Sequence, residues 1–126
     1  MQVLESSEFF VLARTLLASV FVGLALENIY RLFAVLRDAD RRAPLGALAL
    51  TVFELVCGVM ILFGWQVRWI ALVLGLFSLL DAFMFHPFWR EESADRHGQL
   101  LHFLKNISIL GGLMLLVWAE SVRPSV

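Results

Sequence analysis

The sequence predicts an all-α fold, a four-transmembrane-helix antiparallel bundle forming a single integral membrane domain over residues 1–126. Three observations predict it. Apolar types make up 60% of the chain, against roughly 45–50% in a soluble globular protein. Charged residues are only 17%, too few to mask that much apolar surface in water. The apolar residues also fall into four runs, at about 9–26, 46–64, 69–85 and 100–118. Each has 17 to 19 residues, close to the roughly 20 that cross a hydrocarbon core of about 30 Å. Backbone polar groups in lipid must satisfy one another within the segment, so the runs are predicted helices.

The opening stretch "MQVLESSEFF" carries Glu5 and Glu8 but no Lys or Arg. A secretory signal needs a basic start, so the first run is expected to be a retained span. "RDADRRAP" separates spans one and two, and "GWQVR" separates spans two and three. The second connection is so short that a tight antiparallel hairpin is expected there. Pro87 follows His86 at the end of the third run. It has no N–H and disfavours helical geometry at the preceding residue, so the helix should stop at about His86. "HPFWREESADRHGQ" then leads into the fourth span. Trp65, Trp69, Trp89 and Trp118 all fall near span ends, where an interfacial aromatic belt places them. Small residues four apart, Ser19/Gly23, Ala71/Gly75 and Ser108/Gly112, would let helix backbones approach closely, and packing within the bundle is their ordinary use.

Loop charge gives an expected direction. The first and third loops hold Arg31, Arg37, Arg41, Arg42, Arg90 and Arg96, while the other side holds Arg68 and Arg123. The positive-inside rule puts the first and third loops in the cytoplasm. The expected location is a bacterial inner membrane, crossed several times, with both termini periplasmic.

Ionisable residues inside spans are costly and therefore informative. At about 1.5 Å of rise per residue, Glu54 lies about 12 Å below the side bearing loops one and three. Asp81 and Lys105 lie about 7–8 Å below the same side. His102, Lys105 and Asn106 are spaced i, i+3, i+4 and share a helix face. His86 sits at the rim, where it can titrate. Glu54, Asp81, His86 and Lys105 are thus the candidate catalytic cluster, with Asn106, His102 and Trp89 as weaker candidates for holding a ligand. The structural alternative keeps the same residues as internal ties, Asp81 paired with Lys105 and Glu54 with Arg14 or a neutral group. Arg14 and Lys105 can also snorkel to the headgroups, and His97 sits in a charged loop as a solvated residue.

Other chemistries have little support. A net charge of -1 gives no case for nucleic acid. Cys57 is the sole cysteine, so a dithiol mechanism within this chain is excluded, and a thiol in an apolar run is read as a packing residue. The His and acid spacing matches no zinc or di-iron pattern, and no metal is expected. No phosphate loop, nucleophile elbow or triad is visible, so the chain contains no complete catalytic motif.

The ordered set of Arg14, "FELVCGVMILFG" with Glu54 and Gly64, Arg68, "FHPFW" and "HFLKNISILGGLMLL" resembles the DoxX-like family of small four-helix bacterial membrane proteins. "LENIYRL" stands where that family usually closes its first span with a glycine and a lysine. The resemblance implies a membrane subunit of a thiosulfate:quinone oxidoreductase, or a partner of redox and sulfur-handling proteins. It equally implies an assembly or cargo factor, the character of eukaryotic relatives. Three readings follow. The chain is a quinone-linked redox component, an oxidoreductase subunit whose electrons come from a partner. Alternatively, it is a non-enzymatic membrane assembly or chaperone subunit, or a small transporter that would need to dimerise. No cofactor is fixed by a motif; a quinone is the one that an acid and a donor within reach of lipid would suit. The expected partners are the lipid bilayer and another protein or a second copy of the chain.

Overall fold

The computed structural model describes residues 7–38 and 45–123. Glu5, Arg41 and Arg42 lie outside the described residues. The described chain is all helix, with α1 at Ser7–Leu36, α2 at Leu45–Phe63, α3 at Val67–Phe85, a short 3₁₀ helix at Phe88–Arg90 and α4 at Ser93–Val122. All four α-helices are long and apolar enough to cross a membrane. The expected all-α class and the four spans are therefore present.

Two helices overrun their apolar segments. α1 continues past residue 26 to Leu36, and α4 begins at Ser93 rather than near residue 100. The α4 extension is polar, so hydropathy misses it, and the α1 extension breaks its apolar run with Glu27, Asn28 and Arg31, yet both suit a helix. On α1 the Arg31 guanidinium donates to the Glu27 carboxylate at 2.8 Å across one turn. An exposed pair at this spacing contributes about 0.2–0.5 kcal/mol. At the start of α4, Asp95 lies in the first turn, where the positive end of the helix dipole favours an acid.

The chain divides into two compact units, Met1–Trp65 and Gln66–Val126. The hairpin of spans two and three expected from the short connection crosses the boundary between them. In the first unit α1 packs on α2. Ala18, Phe21 and Ala25 are buried on α1, and Thr51, Cys57, Gly58 and Ile61 on α2. Spacings of three, four and seven put each set on one stripe. Gly58 marks the close approach. A Cβ there would lie 3.0 Å from Val22 Cγ2 and 3.1 Å from Phe21 Cβ. The Ser19/Gly23 pair is not the contact expected of it, since Gly23 has nothing within 4 Å and the Ser19 hydroxyl donates to the Leu16 carbonyl at 2.6 Å. Gly58 lies opposite Phe21 while Gly64 lies opposite Arg14, so the two helices run antiparallel.

α2 ends in a Schellman motif. The Trp65 N–H donates to the Met60 carbonyl at 2.9 Å and the Gly64 N–H to the Ile61 carbonyl at 3.1 Å. Gly64 has φ +79°, the left-handed geometry that this cap requires. Gly64→Ala should lower stability by about 1–2 kcal/mol, the cost of a left-handed L-residue. The new Cβ would also meet Arg14 Nη1 at 2.8 Å, but that is the movable end of a long side chain. A denaturant titration in detergent reads the loss, and an unchanged midpoint would show that the cap does not need glycine.

In the second unit α3 packs on α4. Ala71, Leu74, Gly75, Ser78 and Ala82 are buried on α3, and Asn106, Leu113 and Leu116 on α4. A Cβ on Gly75 would sit 3.3 Å from Leu110, so Ala71/Gly75 does lie at a helix contact. Large apolar side chains such as Leu16, Val52, Leu76 and Leu115 are exposed, in keeping with helices whose outer faces meet lipid.

Candidate functional site

The candidate site of the second unit is built by the end of α3 and the start of α4. α3 stops at Phe85, and His86 leaves helical geometry with φ -126° and ψ 49°. Pro87 is the cause, as expected: it cannot donate and it crowds the residue before it. The chain then tightens into the 3₁₀ helix, with the Phe88 N–H donating to the His86 carbonyl at 2.9 Å. The imidazole of His86 is thereby placed against α4.

α4 meets it with Gln99, His102 and Asn106. Their spacing of three and then four puts all three on one face. The Asn106 amide donates to Asp81 Oδ2 at 2.5 Å. His86 Nδ1 lies 2.8 Å from Gln99 Oε1. Because that oxygen can only accept, Nδ1 must carry the hydrogen. His86 Nε2 then faces Asp81 Oδ2 at 3.5 Å. The rings of His86 and His102 stack at 4.9 Å with 21° between their planes. Asp81 and His86 keep 29% and 24% of their side-chain surface accessible, so the pair is screened from bulk water yet reachable.

Beside this polar cluster lies an aromatic one. Phe83, Phe88, Trp89 and Phe103 pack with ring centroids 5.3–5.9 Å apart, mostly edge to face. Each such pair adds about 0.5–1.5 kcal/mol beyond area burial. The Arg96 guanidinium lies 6.0 Å over the Phe88 ring. Phe83 and Trp89 remain half exposed.

Of the residues singled out from sequence, Asp81, His86, His102 and Asn106 come together, and Trp89 lies in the adjoining aromatic cluster. Lys105 is exposed, and Asp81 is held by Asn106 and His86 instead. The reason is rotation. One residue turns a helix by about 100°, so with Asn106 facing Asp81, Lys105 points away. Glu54 belongs to the first unit, half-buried on α2. Arg14 is not its partner. The Arg14 guanidinium packs at Gly64, ten residues and about 15 Å of helix from Glu54. Gln99 is a candidate-site residue that hydropathy does not reveal. By hydropathy it belongs to the connecting loop, because the apolar run starts at residue 100. Its spacing of seven from Asn106 was the available signal. Among the described residues, no three His, Cys, Asp or Glu side chains converge as metal ligands.

Chemically, the arrangement is a carboxylate and an imidazole nitrogen facing each other with room for one proton between them. With Nδ1–H fixed on Gln99, Nε2 is the ring nitrogen left to face Asp81 and a ligand. Such a pair can act as a general acid or base toward a ligand group at its open edge.

No curated protein and no solved structure matches the chain. The DoxX family model matches residues 9–87, which include Arg14, Glu54, Gly64, Asp81 and His86 but stop short of Gln99, His102, Lys105 and Asn106. That match covers more than half of the sequence, so this multi-pass membrane chain belongs to the DoxX family.

Proposed function

We propose that this chain is the quinone-linked component of a larger bacterial inner-membrane complex. The observation that carries the reading is the Asp81–His86 pair held by Asn106 and Gln99. A quinone oxygen needs a proton donor when the ring is reduced and an acceptor when the quinol is oxidised. His86 Nε2 can hydrogen-bond that oxygen and pass it the proton, with Asp81 stabilising the imidazolium beforehand. The half-exposed Phe83 and Trp89 offer flat apolar surface to the ring. Electrons are supplied by a partner protein. Reduction to the quinol takes two electrons and two protons, and the pair delivers those protons in turn after reloading from the side of the third loop. Glu54 on the first unit and Lys105 on the second remain in the proposal as further charged groups within the spans.

The reading is tested by titrating purified protein with a short-chain ubiquinone analogue. Saturable binding that His86→Ala weakens supports it; no binding by the wild type overturns it. One observation favours the assembly-factor alternative. Lys105 is exposed on a membrane-spanning helix and makes no hydrogen bond or ion pair among the described residues, as a residue kept for an acidic partner helix would be. Under that reading, Lys105→Gln releases a co-purifying membrane protein and leaves quinone binding unchanged.

The proposed direction is tested separately. A cysteine at Ala94 should resist a membrane-impermeant thiol reagent in intact cells, while one at Ser125, outside the described residues, should react. Reaction at Ala94 alone reverses the orientation.

A further inference from the structure

A second candidate site lies in the first unit, around Arg14. We infer that the Arg14 guanidinium is a seat for a phosphate group, and that the phosphate is the headgroup of a membrane phospholipid.

Arg14 is half-buried on α1, and its Nε is sealed from solvent with no hydrogen-bond partner. The residue forms no ion pair among the described residues. Its neighbours are the Phe10 ring, whose centroid is 5.9 Å from Cζ, and Gly64 at the end of α2. Glu8, the acid nearest in sequence on α1, is six positions away and so lies about 120° round the helix. A guanidinium cannot shed its proton to escape such a setting. It must find a counter-charge, and a cation in a membrane span without one is expensive.

The seat itself is shaped. A Cβ on Gly64 would fall 2.8 Å from Nη1, 3.1 Å from Nη2 and 3.2 Å from Cζ. Gly64 is already required by the left-handed cap of α2, so one residue both ends the helix and makes room for the guanidinium. The C-terminal end of α2 carries a partial negative charge that draws a cation to this level. That attraction amounts to about half an elementary charge, so most of the demand for an anion remains.

The level identifies the anion. The guanidinium lies where α2 ends, one residue from Trp65, which is exposed. Tryptophan at a span end sits among headgroups, and the anions concentrated there are lipid phosphates. Arginine meets phosphate through two parallel N–H donors, a geometry lysine lacks. This site is independent of the Asp81–His86 pair, which belongs to the second unit.

The test uses the full chain in detergent micelles with three probes: dioleoyl phosphatidylglycerol, uncharged dioleoylglycerol and inorganic phosphate. Native mass spectrometry and thermal unfolding read binding. Phosphatidylglycerol should remain bound and raise the melting temperature, and the other two probes should do neither. Arg14→Gln should weaken phosphatidylglycerol binding by about tenfold or more, the loss expected for hydrogen bonds to a charged group. Arg14→Lys should fall between, and it serves if the glutamine variant does not fold. Equal effects of dioleoylglycerol and phosphatidylglycerol on the wild type would overturn the site. So would wild-type affinity in either variant. Inorganic phosphate acting as strongly as the lipid would overturn the lipid assignment, leaving a site for a soluble anion.

Discussion

Asp81→Asn should slow chain-dependent quinone turnover by about 10²–10⁴-fold, the usual contribution of a positioned acid or base. The amide matches the carboxylate in size and still offers an oxygen to the Asn106 amide, so the contact between α3 and α4 is kept. What is lost is the negative charge facing His86 Nε2 at 3.5 Å. Without it an imidazolium at His86 has no counter-charge, and the pair can no longer hold a proton ready for the ligand. The measurement is reduction of a short-chain quinone by membranes containing the protein, after subtracting membranes that lack it. Unfolding of the same variant is followed in detergent. A collapse of turnover with near-normal stability supports the proton role. Wild-type turnover in Asp81→Asn would sink it, because no other described residue faces His86 Nε2 with a carboxylate.

Asn106→Leu should have the opposite profile, a large loss of stability whatever the activity. Asn106 is buried and its amide is the neutral donor to Asp81 Oδ2. Leucine fills the same space but leaves a partly buried carboxylate short of a hydrogen bond. Bonds to charged groups contribute about 1.5–3 kcal/mol, and the deprived partner adds its own desolvation cost. The expected result is therefore a loss of at least about 1.5–3 kcal/mol in a denaturant titration. Replacing both partners, Asp81→Leu with Asn106→Leu, should recover much of it, because no polar group is then stranded. A single-variant change within about 0.5 kcal/mol, the range of an ordinary surface substitution, would show that the contact is not a structural tie.

These two residues also show how far sequence reading reached. Asp81 and His86 were legible because an acid near the end of an apolar run is rare, and because Pro87 must end the helix beside them. Asn106 was legible as a polar group inside the fourth span. Its pairing was not, and the expected partner of Asp81 was Lys105, the neighbour of opposite charge. Gln99 was missed because a polar extension of α4 looks like loop when only hydropathy is read. On the first unit, glycine spacing pointed to Gly23, while the close approach of α1 and α2 is at Gly58. Arg14 was readable as a cation within a span, but its neighbour Gly64 lies fifty positions away in sequence.

By itself the sequence determined what depends on sums along the chain. Four apolar runs of spanning length need helices, because lipid offers the backbone no hydrogen bonds. A proline without an N–H ends the third, and aromatic residues collect at the span ends. The tertiary structure decided what depends on rotation and register between neighbouring helices. A shift of one residue swings a side chain by about 100° and moves it about 1.5 Å along the axis. That is enough to exchange Asn106 for Lys105 at the Asp81 carboxylate, and to bring Gln99 to His86. Such a choice is fixed by packing on both helices at once, by contacts such as Gly75 with Leu110, and neither helix carries it alone.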